Sequence, residues 1–234
     1  MLTVATYNVH SCIGSDRRLD PARVAAVIRA LDADVVALQE VDARHHDSGF
    51  LDQWAYLGER TGYRCVPGIS LRTHRNVFGN ALLSRHPVAS VRLHDLAIFG
   101  REPRGAIDAD IDVAGRIVRV VATHLGLRNA ERRRQSARLL EVLAVRSSPA
   151  QTAEILLGDL NEWRATPRSS IAALLRRYPD TPAPPSFPAR WPFLRLDRIL
   201  ADRGLRLERC AAMRSRLARL ASDHLPVCAR FAWA

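Results

Sequence analysis

The sequence predicts an α/β protein in which strands and helices alternate along one domain. Short apolar runs of the kind that form buried strands recur from residue 3 to residue 232. Helix signals lie between them: Asp20 and Pro21 form an N-cap and first-turn pair, and apolar residues follow from Val24 to Leu31 at helical spacing. The elements are therefore expected to form layers around a buried sheet.

The individual elements follow from these patterns. Helices are expected after Asp20 and at 51–61, 129–146 and 169–177, the second of them ending at Gly62. Strands are expected at 3–9, 34–39, 63–67, 77–84, 88–96, 104–112, 116–124, 154–159, 194–200, 205–211 and 225–232. The segment 179–192 contains six prolines, which exclude a helix or a central strand, and we interpret it as a functional surface loop beside the site.

Length and composition place limits on the class of protein. A chain of 234 residues with 47% hydrophobic content can bury a substantial core, so residues 1–234 are expected to form a single domain and a monomer. No apolar run approaches the ~18 residues of a membrane span, and no secretion signal precedes the first strand, so a cytoplasmic location is expected. The four cysteines are widely spaced, which argues against zinc ribbons and redox pairs.

The charge of the chain points to anionic partners. Its basic residues number 35 against 24 acidic ones, giving a net charge of +11, and every basic residue is an arginine. The planar guanidinium fork suits phosphate oxygens. A basic surface attracts nucleic acid, acidic lipid headgroups and phosphorylated small molecules alike, so composition does not choose among them.

Polar residues with catalytic potential follow the apolar runs from one end of the chain to the other. They are Asn8, Glu40, His124, Asp159, Asn161, Asp197, Asp223 and His224. Each alone has an ordinary structural explanation, such as an edge residue, an Asx turn or a buried histidine. Together their types suit one task, metal-assisted hydrolysis of a phosphoester.

The chemistry of that task explains the residue types. Mg²⁺ prefers oxygen ligands and takes one or two protein carboxylates, which Glu40 and Asp223 supply, while Asn8 offers a neutral amide. Asp159 can orient and deprotonate the attacking water. His124 and His224 can stabilise charge or move protons near neutral pH, and Asp197 can orient an imidazole.

Six motifs resemble those of the endonuclease/exonuclease/phosphatase superfamily, which includes the DNase I-like enzymes. In chain order they are Thr6-Tyr-Asn8-Val, Leu38-Gln-Glu40-Val, Gly79-Asn80-Ala-Leu-Leu-Ser84, Thr123-His124-Leu, Gly158-Asp159-Leu-Asn161 and Ser222-Asp223-His224-Leu-Pro226. The resemblance runs from Thr3 to Phe231. It implies a four-layer α/β/β/α sandwich of two mixed sheets with helices outside.

The resemblance also implies roles for the site residues. Glu40 is expected to be the principal Mg²⁺ ligand with Asn8 beside it, and Asp223 to complete the acidic cluster. Asp159 would position the nucleophilic water and Asn161 would contact the scissile phosphate. His224, oriented by Asp197, would touch a phosphate oxygen or act as base, and His124 takes the position of acid or transition-state stabiliser. Asn80 and Arg104 are the expected substrate-binding residues.

The chain departs from the family pattern at two places. Arg198 stands where the family often has an aromatic residue, which weakens the assignment of Asp197. At the position of His124 the abasic-site endonucleases carry a Tyr, so the Thr123-His124-Leu motif instead resembles the branch that holds DNase I, sphingomyelinases, deadenylases and tyrosyl-DNA phosphodiesterases. The resemblance therefore argues against a base-excision role.

Three functions remain open at this stage. The leading one is a Mg²⁺-dependent phosphodiesterase, in which Mn²⁺ is expected to substitute and nucleic acid is slightly favoured over lipid headgroups by the basic charge. The second is a phospholipid or small-molecule phosphoesterase that uses the same machinery. The third is a catalytically silent basic binding domain.

Three further groups need a separate interpretation. We interpret Arg132-Arg133-Arg134 as a solvated helix face, and His45-His46-Asp47 as a solvated loop rather than a metal cluster. Phe187 and Trp191 either stack on a base, insert at a lipid surface, or only pack the proline-rich loop.

Overall fold

The computed structural model describes residues 1–46, 49–74, 76–164, 166–178 and 182–234, without the side chains of His45 and His46. The interpretation of His45-His46-Asp47 and residues 179–181 of the proline-rich segment therefore lie outside the described residues.

The strands are β1 (Leu2–Asn8), β2 (Val35–His46), β3 (Gly49–Asp52), β4 (Arg64–Arg72), β5 (Asn76–Ser84), β6 (Val88–Asp95), β7 (Gly105–Val113), β8 (Arg116–His124), β9 (Gln151–Asp159), β10 (Asp197–Ala201), β11 (Leu205–Ala212) and β12 (Val227–Trp233). The helices are α1 (Pro21–Leu31), α2 (Gln53–Thr61), α3 (Asn129–Ala144), α4 (Ala172–Arg177) and α5 (Arg216–Ala221).

Two mixed sheets form the centre of the molecule. The first has the strand order β11-β12-β1-β2-β5-β4, with β3 paired to β2, and the second has the order β10-β9-β8-β7-β6. In each sheet one pair of neighbours is parallel: β1 with β2 in the first, and β8 with β9 in the second. The remaining pairs given by the register are antiparallel.

Three apolar clusters hold the layers together. The central cluster joins the facing sides of the two sheets and includes Val4, Leu82, Ile107, Val120 and Ile155. A second cluster packs α1, α2 and α5 on the outer side of the first sheet, and a third packs α3 and α4 on the outer side of the second. The arrangement is the α/β/β/α sandwich of two mixed sheets that the sequence predicts.

Most elements lie where the sequence places them. Asp20 caps α1 by accepting a hydrogen bond from the Arg23 N–H over 2.9 Å, and Gly62 ends α2 with φ of +74°. Helix α5 is absent from the sequence-based prediction, because its six residues are less than two turns and too short for apolar spacing to identify a helix. The strand predicted to stop at Glu40 continues to His46, and β3 replaces the expected start of the second helix.

The topology brings distant strand ends to one rim. The parallel registers pair Asn8 with Gln39, and His124 with Asp159. The antiparallel register of β9 and β10 pairs Asp159 with Asp197. Over the described ranges, no helix is long and apolar enough to cross a membrane.

Candidate active site

Asn8 links carboxylates from the two sheets. Its Nδ2 donates to Glu40 Oε1 over 2.8 Å and to Asp159 Oδ2 over 3.2 Å, while its Oδ1 accepts from the His10 N–H over 3.0 Å. Ser222 Oγ donates to the Asn8 backbone carbonyl over 2.7 Å. The amide of Asn8 therefore fixes where both carboxylates lie.

Glu40 occupies a strained position in β2. The register between β2 and β5 shifts between Leu38 and Val41, and Glu40 itself has a φ of +58°, in the left-handed region. Such strain at a non-glycine residue is common at functional sites. The bulge turns the half-buried Glu40 carboxylate toward Asn8 at the rim.

Asp159 lies at the centre of the group. It is buried, and its Oδ1 accepts from the Asn161 N–H over 2.9 Å. Its Oδ2 lies 3.6 Å from His124 Nε2 and 3.7 Å from His224 Nε2. Burial raises the pKa of Asp159 to about 6, with Asp197 adding to the rise and His224 opposing it.

His224 is held by a buried carboxylate. Its Nδ1 lies 2.9 Å from Asp197 Oδ2, which also accepts from Ser186 Oγ. Burial lowers the pKa of His224, but the carboxylates of Asp197 and Asp159 outweigh it and raise that pKa to about 10. The imidazole is therefore cationic at neutral pH, with Nδ1 bound to Asp197 and Nε2 facing Asp159.

His124 has the opposite electrostatics. Burial first, then the charges of Arg104 and His224, lower the pKa of His124 well below its usual range, so the ring is neutral. Its Nδ1 lies 3.3 Å from Arg104 Nη1, which is always a donor, and its Nε2 lies 3.0 Å from Asn161 Nδ2. Both neighbours are donors, and a neutral ring has one accepting nitrogen, so His124 accepts a hydrogen bond from only one of them at a time.

Asn80, one of the two expected substrate-binding residues, contacts the residue that follows the other, Arg104. Asn80 of β5 is buried, and its Nδ2 donates to the Gly105 carbonyl over 3.3 Å. Gly105 follows Arg104, whose buried guanidinium also donates to Glu102 Oε1 over 2.9 Å. The structure thus places Asn80 next to the segment that carries Arg104.

Asp223 lies apart from the hydrogen-bonded group around Asp159. Its carboxylate is partly exposed and lies 3.8 Å from His10 Nδ1 and 3.4 Å from Ser222 Oγ. Ser222, the residue before Asp223, donates its hydroxyl to the Asn8 carbonyl and so ties the chain next to Asp223 to the end of β1. Asp223 is thus at the open side of the site, near Asn8.

A buried polar group formed by Glu162, Ser170 and Arg132 is not evident in the sequence. Glu162 Oε2 accepts from Ser170 Oγ over 2.7 Å and lies 3.4 Å from Arg132 Nη2, and all three residues are buried. Glu162 is the next residue after Asn161, and Asn161 has a φ of +52°. The interpretation of residues 132–134 as a solvated face is wrong for Arg132, because this side chain is buried against Glu162, which is 30 residues away in the chain. Arg133 and Arg134 are exposed, as that interpretation predicts.

The proline-rich segment also reaches the site. Ser186 contacts Asp197, and the ring centroid of Phe187 lies 4.7 Å from that of His224. The Ala189 N–H donates to the Asp223 carbonyl over 2.6 Å. Only the run of prolines signals this loop in the sequence, and no motif identifies Ser186.

Two groups of side chains have ligand chemistry. Ligand atoms of Asp159, Asp197 and His224 lie within 4.8 Å of one another. Within this group His224 Nδ1 is hydrogen-bonded to Asp197 Oδ2, and Nε2 is the ring nitrogen that faces Asp159. Glu40 and Asp223 are both only partly buried and offer carboxylate oxygens, which are the ligands that Mg²⁺ prefers.

Fold and site together define the class of protein. Residues 5–224 match the Endonuclease/Exonuclease/phosphatase family, and the chain belongs to this family. Its members are hydrolases that act on phosphoester bonds.

The relatives are similar over nearly the whole chain. The uncharacterized protein YbhP of Escherichia coli strain K12 is 30% identical over 242 residues, which cover 97% of this chain and 94% of YbhP. A solved endonuclease/exonuclease/phosphatase from Beutenbergia cavernae is 26% identical with a TM-score of 0.82, covering 100% of this chain and 72% of that one. A mannosyl-6-phosphatase of Bacteroides thetaiotaomicron has a TM-score of 0.77 at 18% identity, covering 100% of both chains; this last likeness shows the fold alone.

Proposed function

We propose that this protein is a Mg²⁺-dependent phosphodiesterase that hydrolyses its substrate by attack of an activated water. The observation that carries the proposal is the position of Asp159, a buried carboxylate between one cationic and one neutral imidazole and joined through Asn8 to Glu40. Asp197 and Asn161 support the two imidazoles. The arrangement provides a base, a fixed positive charge and a hydrogen-bond donor in one place.

The residues at the open side fit a magnesium ion. Glu40 and Asp223 are partly exposed carboxylates, and Mg²⁺ typically binds one or two protein carboxylates and keeps several waters. Glu40 and Asp223 would hold the ion, with Asn8 beside them. When bound, Mg²⁺ or Mn²⁺ supplies polarisation of a phosphoryl oxygen and neutralises developing negative charge.

The chain's own residues divide the remaining work. Asp159, whose pKa is about 6, is suited to take the proton of the attacking water near neutral pH. His224 directs its Nε2–H toward the same region and opposes the negative charge that develops on the phosphoryl group. Neutral His124 is a poor acid at neutral pH. We propose that its Nδ1 accepts from Arg104 while its Nε2–H donates a hydrogen bond to the substrate in the transition state, in place of the contact with Asn161. Asn161, Asn80 and Arg104 bind phosphate oxygens.

Two substrates separate diesterase from monoesterase activity. Bis-p-nitrophenyl phosphate should be hydrolysed faster than p-nitrophenyl phosphate in the presence of Mg²⁺. The reverse order would favour a phosphomonoesterase. Hydrolysis of neither compound with Mg²⁺ or Mn²⁺ would leave the basic binding domain as the better description.

A salt titration tests nucleic acid as the substrate. Each phosphate that the arginines neutralise contributes about −0.9 to the log–log slope of affinity against salt on duplex DNA. Four or five contacts across the cleft would cost ~10²-fold in affinity or more between 50 and 200 mM salt. A small phosphoester presents one or two charges and should give a shallow slope.

A further inference from the structure

Large aromatic side chains are exposed on four segments of the part of the chain that the structure describes. They are Phe50, Phe99, Trp163, Trp191 and Phe193. Phe50 is on the β2–β3 hairpin that extends past Glu40, and Phe99 is on the loop that ends at Arg104. Trp163 follows Asn161 by two residues, and the other two precede Asp197. The segment with Trp191 and Phe193 is the one whose contacts with the site are direct, since Ser186 contacts Asp197 and Phe187 contacts His224.

The segment that carries Trp191 and Phe193 is built to hold them outward. Arg219 Nη1 donates to the carbonyls of Ala189 and Arg190 over 3.0 and 2.9 Å. The Trp191 N–H donates to the Pro188 carbonyl over 3.0 Å. Trp191 is nevertheless 74% exposed and Phe193 68% exposed. A loop that is held by these hydrogen bonds and still leaves two large rings in water indicates an interaction surface.

Arginines surround these rings. A hollow of about 640 Å³ is lined by Arg190, Trp191, Pro192, Phe193, Arg214 and Arg219. The lining contains three guanidinium groups and no carboxylate. Arginine forks bind phosphate oxygens, and aromatic rings with arginines are typical of surfaces that sit at the headgroup level of a membrane.

We propose that the surface formed by Trp191, Phe193 and the three arginines of this hollow docks on an anionic phospholipid bilayer. The aromatic rings would lie in the headgroup layer, and the arginines would bind lipid phosphates. The net charge of +11 complements such a surface. Trp191 and Phe193 share one hollow with three arginines, which suits a boundary that is both apolar and anionic, as the headgroup layer of such a bilayer is. Docking would bring lipid phosphoesters to Asp159, and this last consequence rests on the proposed function.

Vesicle co-sedimentation tests the surface. The protein is mixed with vesicles of phosphatidylcholine alone or of phosphatidylcholine with phosphatidylglycerol. Wild type should sediment with the anionic vesicles and remain largely in solution with the neutral ones. The double variant Trp191→Ala/Phe193→Ala should lower the partition coefficient on the order of ten-fold or more, since two large apolar side chains lose their transfer from water. Arg214→Ala should lower it less, and added salt should weaken the wild type.

Two matched controls distinguish this surface from exposed residues elsewhere. Leu93→Ala removes an exposed apolar side chain of β6, and Arg203→Ala removes an exposed arginine at the far end of β10. Both should sediment like wild type and leave hydrolysis unchanged. Equal loss in the controls, or full binding by the double variant, would overturn the proposal.

The failure of docking can be separated from failure of the chemistry. Asp159→Asn should still bind anionic vesicles although it should not hydrolyse phosphoesters, so the two readouts are independent. Wild type that does not distinguish the two kinds of vesicle would overturn the docking proposal alone. Trp191-dependent binding of a single-stranded oligonucleotide without vesicle binding would also overturn it, and would assign the surface to nucleic acid.

Discussion

The side-chain amide of Asn8 donates a hydrogen bond to Asp159 across 3.2 Å and so joins the end of β1 to the end of β9. The two residues are 151 positions apart in the chain and belong to different sheets. The same amide holds Glu40. The position of Glu40, the expected metal ligand, relative to Asp159, the expected base, therefore depends on how the two sheets pack. The role of each residue can be tested by a substitution of its own.

Replacing Glu40 by Gln should reduce turnover by ~10²-fold or more, since one electrostatic stabiliser is often worth that much. The substitution keeps the shape and removes the charge, so the apparent affinity for Mg²⁺ should fall as well. Steady-state kinetics over a Mg²⁺ titration measures both effects. Glu59→Gln, on an exposed part of α2, is the matched control. Near-normal turnover of Glu40→Gln at saturating Mg²⁺ would contradict the assignment.

His124→Ala and His224→Ala should each lower kcat by about 10²-fold while changing KM little, because the lost contacts belong mainly to the transition state. Asp197→Asn should be less damaging than either, because it acts through His224. His86→Ala removes a histidine at the opposite end of β5 and should have no effect. If correctly folded His124→Ala retains full turnover, His124 has no role in the chemistry.

Arg104→Gln should raise the pKa of His124. Burial is the main cause that holds this pKa low and would persist, but the guanidinium charge that adds to it would be removed. The ring should therefore titrate at a higher pH than in wild type while remaining below its usual range, as NMR of the histidine ring would show. Arg101→Gln, on the same loop but exposed, should leave the titration unchanged. An unaltered His124 pKa in Arg104→Gln would show that the two side chains do not interact.

Asp108 should stabilise the fold in a pH-dependent way. Burial opposes its ionisation, but hydrogen bonds from Arg119, Arg92 and His94 outweigh burial and hold its pKa well below the usual range. The unfolded carboxyl has a pKa of about 3.9, so its contribution is present above that pH and is lost as the pH falls toward the folded value. Asp108→Asn should cost about 3–5 kcal/mol at neutral pH, since it breaks a buried ion pair.

Denaturant unfolding of wild type and Asp108→Asn over a pH series measures this contribution. The difference in the free energy of unfolding between them should shrink below pH ~4. Asp32→Asn serves as the control because Asp32 forms an exposed ion pair with Arg85, worth roughly 0–1 kcal/mol. A difference that stays constant from neutral to acidic pH would rule out the ionised carboxylate as the source of the stability.

Local signals in the sequence predict the strands, most of the helices and the strand-end residues, whereas the four-layer sandwich is implied by the resemblance of the six motifs to a known family. Apolar runs mark the strands that end at Asn8, His124 and Asp159, and their residue types suggest the chemistry. The bulge at Glu40 is not visible in the sequence, since a register shift arises from pairing with β5. Because of this bulge, strand β2, which was expected to end at Glu40, continues to His46.

Contacts between distant segments are the part that local patterns miss. Arg132 lies in a run of arginines that usually marks a solvated face, but it is buried against Glu162. Ser186 and Phe187 lie in a segment without periodicity, where prolines indicate only that helix and central strand are excluded. Their contacts with Asp197 and His224 depend on the path of the whole loop.

The most direct test of the central claim is hydrolysis of bis-p-nitrophenyl phosphate by wild type and Asp159→Asn, each assayed with Mg²⁺, with EDTA, and with Mg²⁺ restored. Wild type should be active with Mg²⁺, inactive in EDTA and active again on restoration. Asp159→Asn should fold but remain at least ~10²-fold slower than wild type both with Mg²⁺ and after Mg²⁺ is restored, because the base is lost. Activity that survives EDTA, or a full rate in Asp159→Asn, would contradict metal-assisted hydrolysis at this site.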